Sequence, residues 1–251
     1  MKTSMKDNPW IVRSKPLPDA ALRLFCLPHA GGSAAMFFAW PALLPDTVEV
    51  VGLQLPGRGR RVREGSFTRM EPLVEAAGEA VVPLLDRPYA IFGQSLGALM
   101  GFELARILAR KGYPPKHLFV SACSAPHLHA PDPHIHALPD VEFLAALQQF
   151  NGTPQEILEH EELMRQLIPT FRADFAVSET YRFIGGPVSC PITALGGSED
   201  RIVPAESLAA WGQHTVGAFD RVMYPGGHFY LQANQGLLLQ RVGLELGLVR
   251  R

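Results

Sequence analysis

The chain is short of cysteine, of net charge and of long apolar runs, and each shortage excludes something. Its three cysteines, Cys26, Cys123 and Cys190, are an odd number without metal-binding spacing. They lie in or beside apolar runs, so they read as small core residues in a reduced, cytoplasmic setting. A formal net charge of -1 argues against a dedicated nucleic-acid binder, which usually carries a strongly basic domain. Nowhere do about 18 apolar residues run together, so no membrane span is expected. The first residues, "MKTSMKDNPWIVRSKPLPDA", carry charges throughout and lack an apolar stretch, so they do not read as a secretory signal. Internal repeats and low-complexity tracts are also missing.

What is present is a chain able to bury a large core. It has 251 residues, 47% hydrophobic and 19% charged, enough for one domain over 1–251. Apolar runs predict strands at 22–27, 48–55, 89–93, 117–123, 192–197 and 219–225. Most are continuous rather than alternating, as in parallel strands buried on both faces. Helical patterns at 33–44, 68–86, 96–111, 204–214 and 232–246 fall between them. The alternation predicts an α/β fold with a mostly parallel central sheet flanked by helices and right-handed crossovers. The stretch 124–186 breaks the rhythm. It has a Pro/His-rich loop, then helical patterns without a strand, and reads as a helical insertion within the domain.

Residues 89–99, "YAIFGQSLGAL", place Ser95 between Gly93 and Gly97 at a strand-to-helix junction. G-x-S-x-G in that context is a nucleophile elbow: a turn so sharp that only small residues fit beside the serine, which is left exposed at its tip. The Leu96 amide, opening the helix, points where an oxyanion would form. A nucleophilic serine needs a base, and the base an orienting acid, in the order Ser, acid, His along such a chain. Of nine histidines, His228 in "YPGGHFYL" suits best, because it follows the last strand in a glycine-rich loop. "ALGGSEDRIVP" supplies Glu199 and Asp200 after the preceding strand. Asp200 is chosen because it lies further from the strand end. The second oxyanion donor is expected from "LPHAGG", with the Ala30 amide as candidate and His29 as a structural residue of that loop.

With these pieces in place, the sequence resembles the type II thioesterases of nonribosomal-peptide and polyketide synthesis, and the related medium-chain fatty-acyl thioesterases. "LFCLPHAGGSAAMFFAW", "LQLPGRGRR", "YAIFGQSLGALMGFELAR", "FNGTP", "RADF" followed by "ETY", "GGSEDRIVP" and "PGGHFYL" carry the resemblance, in order, from Leu22 to Leu231. It implies an α/β-hydrolase fold in which 124–186 is a helical lid. Ser95, Asp200 and His228 fall on the family's triad positions, and Ala30 and Leu96 on its oxyanion positions. The implied substrates are acyl groups on the phosphopantetheine arms of acyl or peptidyl carrier proteins, and the implied role is removal of aberrant groups. No metal or cofactor is expected, and the enzyme is expected to be monomeric. Gln94 departs from the family, which more often has histidine there.

The triad alone specifies only a serine hydrolase. A small-molecule carboxylesterase or lipase on the same fold is the alternative, followed by a non-catalytic ligand receptor. A carrier-fused macrocyclising enzyme is less expected, because the chain begins with Met and shows no carrier-like segment. Three further features remain. His127, His129, His134 and His136 invite a zinc reading, but their spacing is not that of a structural zinc site, and a hinge loop is expected. Arg58, Arg60, Arg61 and Arg63 form the densest basic stretch, read as a solvated loop or as a docking patch for an acidic carrier. The 124–186 stretch is rich in aromatics; Phe143, Phe150, Phe171 and Phe175 are candidates for lining an acyl pocket.

Overall fold

A computed structural model describes residues 8–129, 134–149 and 160–248. Seven strands form one sheet: β1 (Ile11–Val12), β2 (Leu22–Leu27), β3 (Val48–Leu53), β4 (Tyr89–Gln94), β5 (Leu118–Ser121), β6 (Ile192–Gly197) and β7 (Phe219–Tyr224). Their spatial order is β1-β3-β2-β4-β5-β6-β7. β1 runs antiparallel to β3, and every other pairing is parallel. The strands from β2 to β6 are buried along their whole length, which is why they read as unbroken apolar runs. β7, at the sheet edge, has two exposed positions. β1 escapes sequence reading because two residues carry no periodicity.

The helices are α1 (Met70–Val81), α2 (Leu96–Arg110), α3 (Asp140–Gln149), α4 (Glu161–Glu179), α5 (Ala205–Ala209) and α6 (Gln235–Glu245). The helix expected over 33–44 is instead two 3-10 turns, Ala34–Phe37 and Trp40–Ala42. Pro41 explains the break: it lacks an amide donor, and its ring would clash with the carbonyl four residues earlier. Phe37 and Trp40 still bury fully, so the periodicity correctly marked a core face. Pro83 ends α1 in the same way, leaving Val82–Leu84 as a 3-10 turn. The 204–214 helix likewise passes from α5 into a 3-10 turn at Ala210–His214.

α3 and α4 lie between β5 and β6 and form a helical excursion with its own small core of Ile135, Phe143, Leu147 and Met164. Phe150 and the predicted helical residues 154–159 lie outside the described residues, as does 130–133 of the histidine loop. The loop after β4 and those after β2, β5, β6 and β7 all leave from the carboxyl edge of the sheet, where a doubly wound fold collects functional side chains.

Candidate active site

The elbow at Ser95 is built by close backbone approach. A Cβ on Gly93 would overlap the Gly97 carbonyl, and one on Gly97 would overlap the carbonyl of Leu27 at the end of β2. Ser95 itself has φ 53 and ψ -118, a conformation that an L residue adopts only under constraint. Its amide donates to the Ser121 carbonyl at 2.7 Å, and its carbonyl accepts from the Ala98 amide at 2.8 Å. The neighbouring strand β5 and the helix that follows therefore hold the strained residue, leaving its Oγ at the cavity wall.

Backbone ties also join the loops that carry the other two residues. The Ser198 amide donates to the Tyr224 carbonyl at 2.7 Å, and the Glu199 amide to the Gly226 carbonyl at 2.9 Å. His228 Nδ1 then meets Asp200 Oδ2 at 2.9 Å, and His228 Nε2 lies 3.4 Å from Ser95 Oγ. The second distance is long for a hydrogen bond. Asp200 Oδ1 accepts from the amides of Ile202 (2.8 Å) and Val203 (3.1 Å), so both carboxylate oxygens are engaged. Burial by itself would raise the Asp200 pKa. The hydrogen bond and charge of His228, with the two amides, outweigh it and hold the carboxyl below the usual range. Asp200 is thus a stable partner for Nδ1–H, which leaves Nε2 facing the serine as acceptor.

Ala30 and Leu96 line the same cavity as Ser95 and His228. Among the described residues, neither of their amides donates to a protein acceptor. His29 Nδ1 lies 2.9 Å from the Ala30 carbonyl, tying the ring to its own loop. Burial lowers the His29 pKa, so the ring stays neutral there.

The cavity has a volume of about 960 Å³ and runs from Ser95 under the helical excursion. Phe171 and Phe175 line it, together with Leu138, Ala146 and Leu167. Phe143 does not. It is fully buried in the core of the excursion, with the Arg172 guanidinium 4.4 Å from its ring centroid. Its apolar spacing reads alike for pocket and core, and only the fold distinguishes them. Cys123 also lines the cavity, but burial pushes its thiol up to about 12. It stays protonated, a form with little nucleophilicity.

His127 and His129 both contact residues further along the chain. His129 Nε2 contacts the Ser178 carbonyl and hydroxyl at 3.1 and 3.0 Å, and His127 Nδ1 lies 2.6 Å from His214 Nε2. His134, His136 and Glu179 bring one possible ligand atom each to within 4.8 Å of one another, a proximity their spacing does not reveal. The Glu179 carboxylate is already occupied by the amides of Ile135 and His136 and by the His136 ring.

The arginine loop departs from expectation. Arg58 and Arg61 are buried, at 6% and 5% exposure, and are not a docking surface. Arg58 pairs with Asp174 of α4, and Arg61 pairs with Glu64 while its guanidinium sits 4.2 Å from the Trp10 ring centroid. Only Arg60 and Arg63 remain exposed, flanking exposed Val62. Asp174 lies in "FRADF", and nothing in that run shows which distant residue its carboxylate meets.

A family model described as "Thioesterase domain" matches residues 22–243. The gramicidin S biosynthesis protein GrsT of Aneurinibacillus migulanus is 41% identical over 244 residues, covering 96% of this chain and 95% of that protein. Thioesterase PikA5 of Streptomyces venezuelae is 43% identical over 225 residues, covering 88% of this chain and 80% of that protein. Among solved structures, the type II thioesterase BorB from the borrelidin biosynthetic cluster superposes with a TM-score of 0.88 at 36% identity, covering 94% of this chain and 97% of that one. The seven-stranded, mostly parallel sheet flanked by helices is an α/β-hydrolase fold. The chain is a member of the thioesterase domain family, whose enzymes are serine hydrolases.

Proposed function

We propose that the protein is a type II thioesterase that hydrolyses acyl groups from the phosphopantetheine arms of carrier proteins in a nonribosomal-peptide or polyketide synthase, removing aberrant groups. The observation that carries this reading is the hydrogen-bonded chain Asp200–His228–Ser95 opening onto an apolar cavity, in a chain similar over most of its length to GrsT, PikA5 and BorB.

In this reading Ser95 Oγ attacks the thioester carbonyl carbon while His228 Nε2 takes the hydroxyl proton. Asp200 holds the imidazole tautomer and balances the imidazolium. The amides of Ala30 and Leu96 receive the oxyanion. The C–S bond breaks, and the thiolate of the carrier arm takes a proton from His228. Water then attacks the acyl-serine ester, its proton passing to His228; the bond from the acyl carbon to Ser95 Oγ breaks, His228 returns the proton to Oγ, and the carboxylic acid leaves with Ser95 and His228 restored. These steps consume only water and need no metal or cofactor.

Family membership favours thioesters over the small esters of a general carboxylesterase, and the assembled serine, histidine and aspartate count against a receptor without activity. α3 and α4 act as a lid over the acyl chain, with Phe171 and Phe175 among the walls. Arg60 and Arg63, with Val62 between them, offer the carrier an exposed basic contact beside the lid; Thr170 of α4 ties this loop down by donating to the Gly57 carbonyl at 2.9 Å. The test is a comparison of one acyl group delivered on a carrier protein and on coenzyme A. A higher kcat/KM from the carrier supports the reading, because remote protein contacts then contribute to transition-state binding. Equal values would remove the carrier from it.

A further inference from the structure

The oxyanion loop is held from the far side by α4. Asp174, 2% exposed, accepts from the Gly31 amide at 2.7 Å through Oδ2. The same carboxylate takes both ends of the Arg58 guanidinium, Nη1 on Oδ2 at 2.6 Å and Nη2 on Oδ1 at 2.7 Å. Arg58 Nη1 also donates to the Gly32 carbonyl at 3.0 Å, and its Nε to the Pro56 carbonyl at 3.2 Å. A buried carboxylate is costly unless every lone pair is used, and here the partners come from two separate loops.

The peptide unit joining Ala30 to Gly31 is consequently pinned at both polar atoms. His29 Nδ1 engages its carbonyl and Asp174 engages its N–H. Gly31 has φ +75, and a Cβ there would overlap the Phe171 ring of α4. The loop is thus shaped against that helix as well as hydrogen-bonded to it. With the Gly31 amide taken by Asp174, the Ala30 amide is the one in this pair left without a protein acceptor among the described residues.

We propose that Asp174 and Arg58 are positioning residues for the oxyanion hole, so that the hole is complete only while α4 is seated. The inference rests on the proposed role of the Ala30 amide. It makes the helix that covers the acyl chain a part of the apparatus that stabilises the transition state. A substrate that fails to let α4 seat would bind without being turned over.

The experiment uses the full chain and a short-chain acyl-coenzyme A, which asks nothing of carrier docking. Asp174→Asn keeps the side-chain shape but weakens the paired contacts. The double variant Arg58→Met with Asp174→Leu replaces the buried pair by apolar groups and avoids leaving one charge alone. Each should melt cooperatively and lose kcat by roughly 10²-fold, on the scale of losing one oxyanion donor. KM should stay within about threefold, and the midpoint of the pH–rate profile should not move, because the His228–Asp200 pair is untouched. Folded variants with kcat within about threefold of the parent would overturn the proposal, as would a loss confined to KM. Should the double variant fail to fold, Asp174→Asn decides alone. Ser95→Ala is run alongside. Retained activity in that variant would mean the serine mechanism itself is wrong, whereas an inactive Ser95→Ala beside a fully active Asp174→Asn would reject only this inference.

Discussion

Glu199 and Asp200 are consecutive in the chain and stand in opposite environments. The Asp200 side chain is 1% exposed and meets His228 at 2.9 Å, whereas Glu199 is exposed and, among the described residues, bonds only through its backbone, donating to the Gly226 carbonyl. The turn after β6 separates two carboxylates that are adjacent in the sequence. Asp200→Asn is therefore expected to reduce kcat by on the order of 10⁴-fold, the scale seen when a triad acid can no longer select the imidazole tautomer. Glu199→Gln should remain within about twofold of the parent. Steady-state kinetics on one thioester would check both, and the reverse order would move the acid by one residue.

Ser95→Ala should leave the melting transition near that of the parent, or raise it, because alanine removes the hydroxyl while the elbow backbone is kept. Thioester hydrolysis should fall by about 10³-fold or more. Cys123→Ala provides the control within the same cavity. Its thiol stays protonated and outside the proton-transfer chain, so kcat should change by less than about threefold. A larger loss there would make the cysteine more than a wall of the pocket.

Asp200 also links stability to pH. Its folded-state pKa is held below the ordinary carboxylate range, so its contribution is fully present above the pKa of the unfolded chain. That contribution is lost as pH falls through the lower, folded-state value. Asp200→Asn removes the titration. The stability difference between parent and variant, measured by urea unfolding, should be greatest near neutrality and shrink on acidification. A difference that grew with acid would have the wrong sign.

Arg60 and Arg63 can be replaced without touching the buried pairs of Arg58 and Arg61. The double variant Arg60→Ser with Arg63→Ser should lower kcat/KM for an acyl-carrier substrate and weaken its dependence on salt, since exposed charges are screened over about 8 Å at physiological ionic strength. The coenzyme A reaction should be nearly unchanged. Equal losses on both substrates would assign the loop to the pocket, and no loss on either would leave these arginines merely solvated.

The parts of the site nearest in sequence were the most legible. Gly93 and Ser95 carry their geometry locally, because the Gly97 carbonyl leaves no room for a side chain at Gly93 within the motif itself. Continuous apolar strands announced a buried parallel sheet for the same reason. Contacts set by distant pairing were not legible. Arg58 and Asp174 lie 116 residues apart, and a basic run on paper looks the same whether its guanidinium faces water or a buried carboxylate. Phe143 and Phe171 both sit on apolar helix faces, and only the packing of α3 on α4 sends one into the core and the other to the cavity.

The most direct measurement of the central claim is intact-protein mass spectrometry of acyl-loaded carrier proteins incubated with the enzyme. The expected result is loss of the acyl mass, leaving the free phosphopantetheine thiol on the carrier, with no such loss in the presence of Ser95→Ala. Carriers that keep their acyl groups, while the same enzyme preparation hydrolyses small oxygen esters, would contradict it.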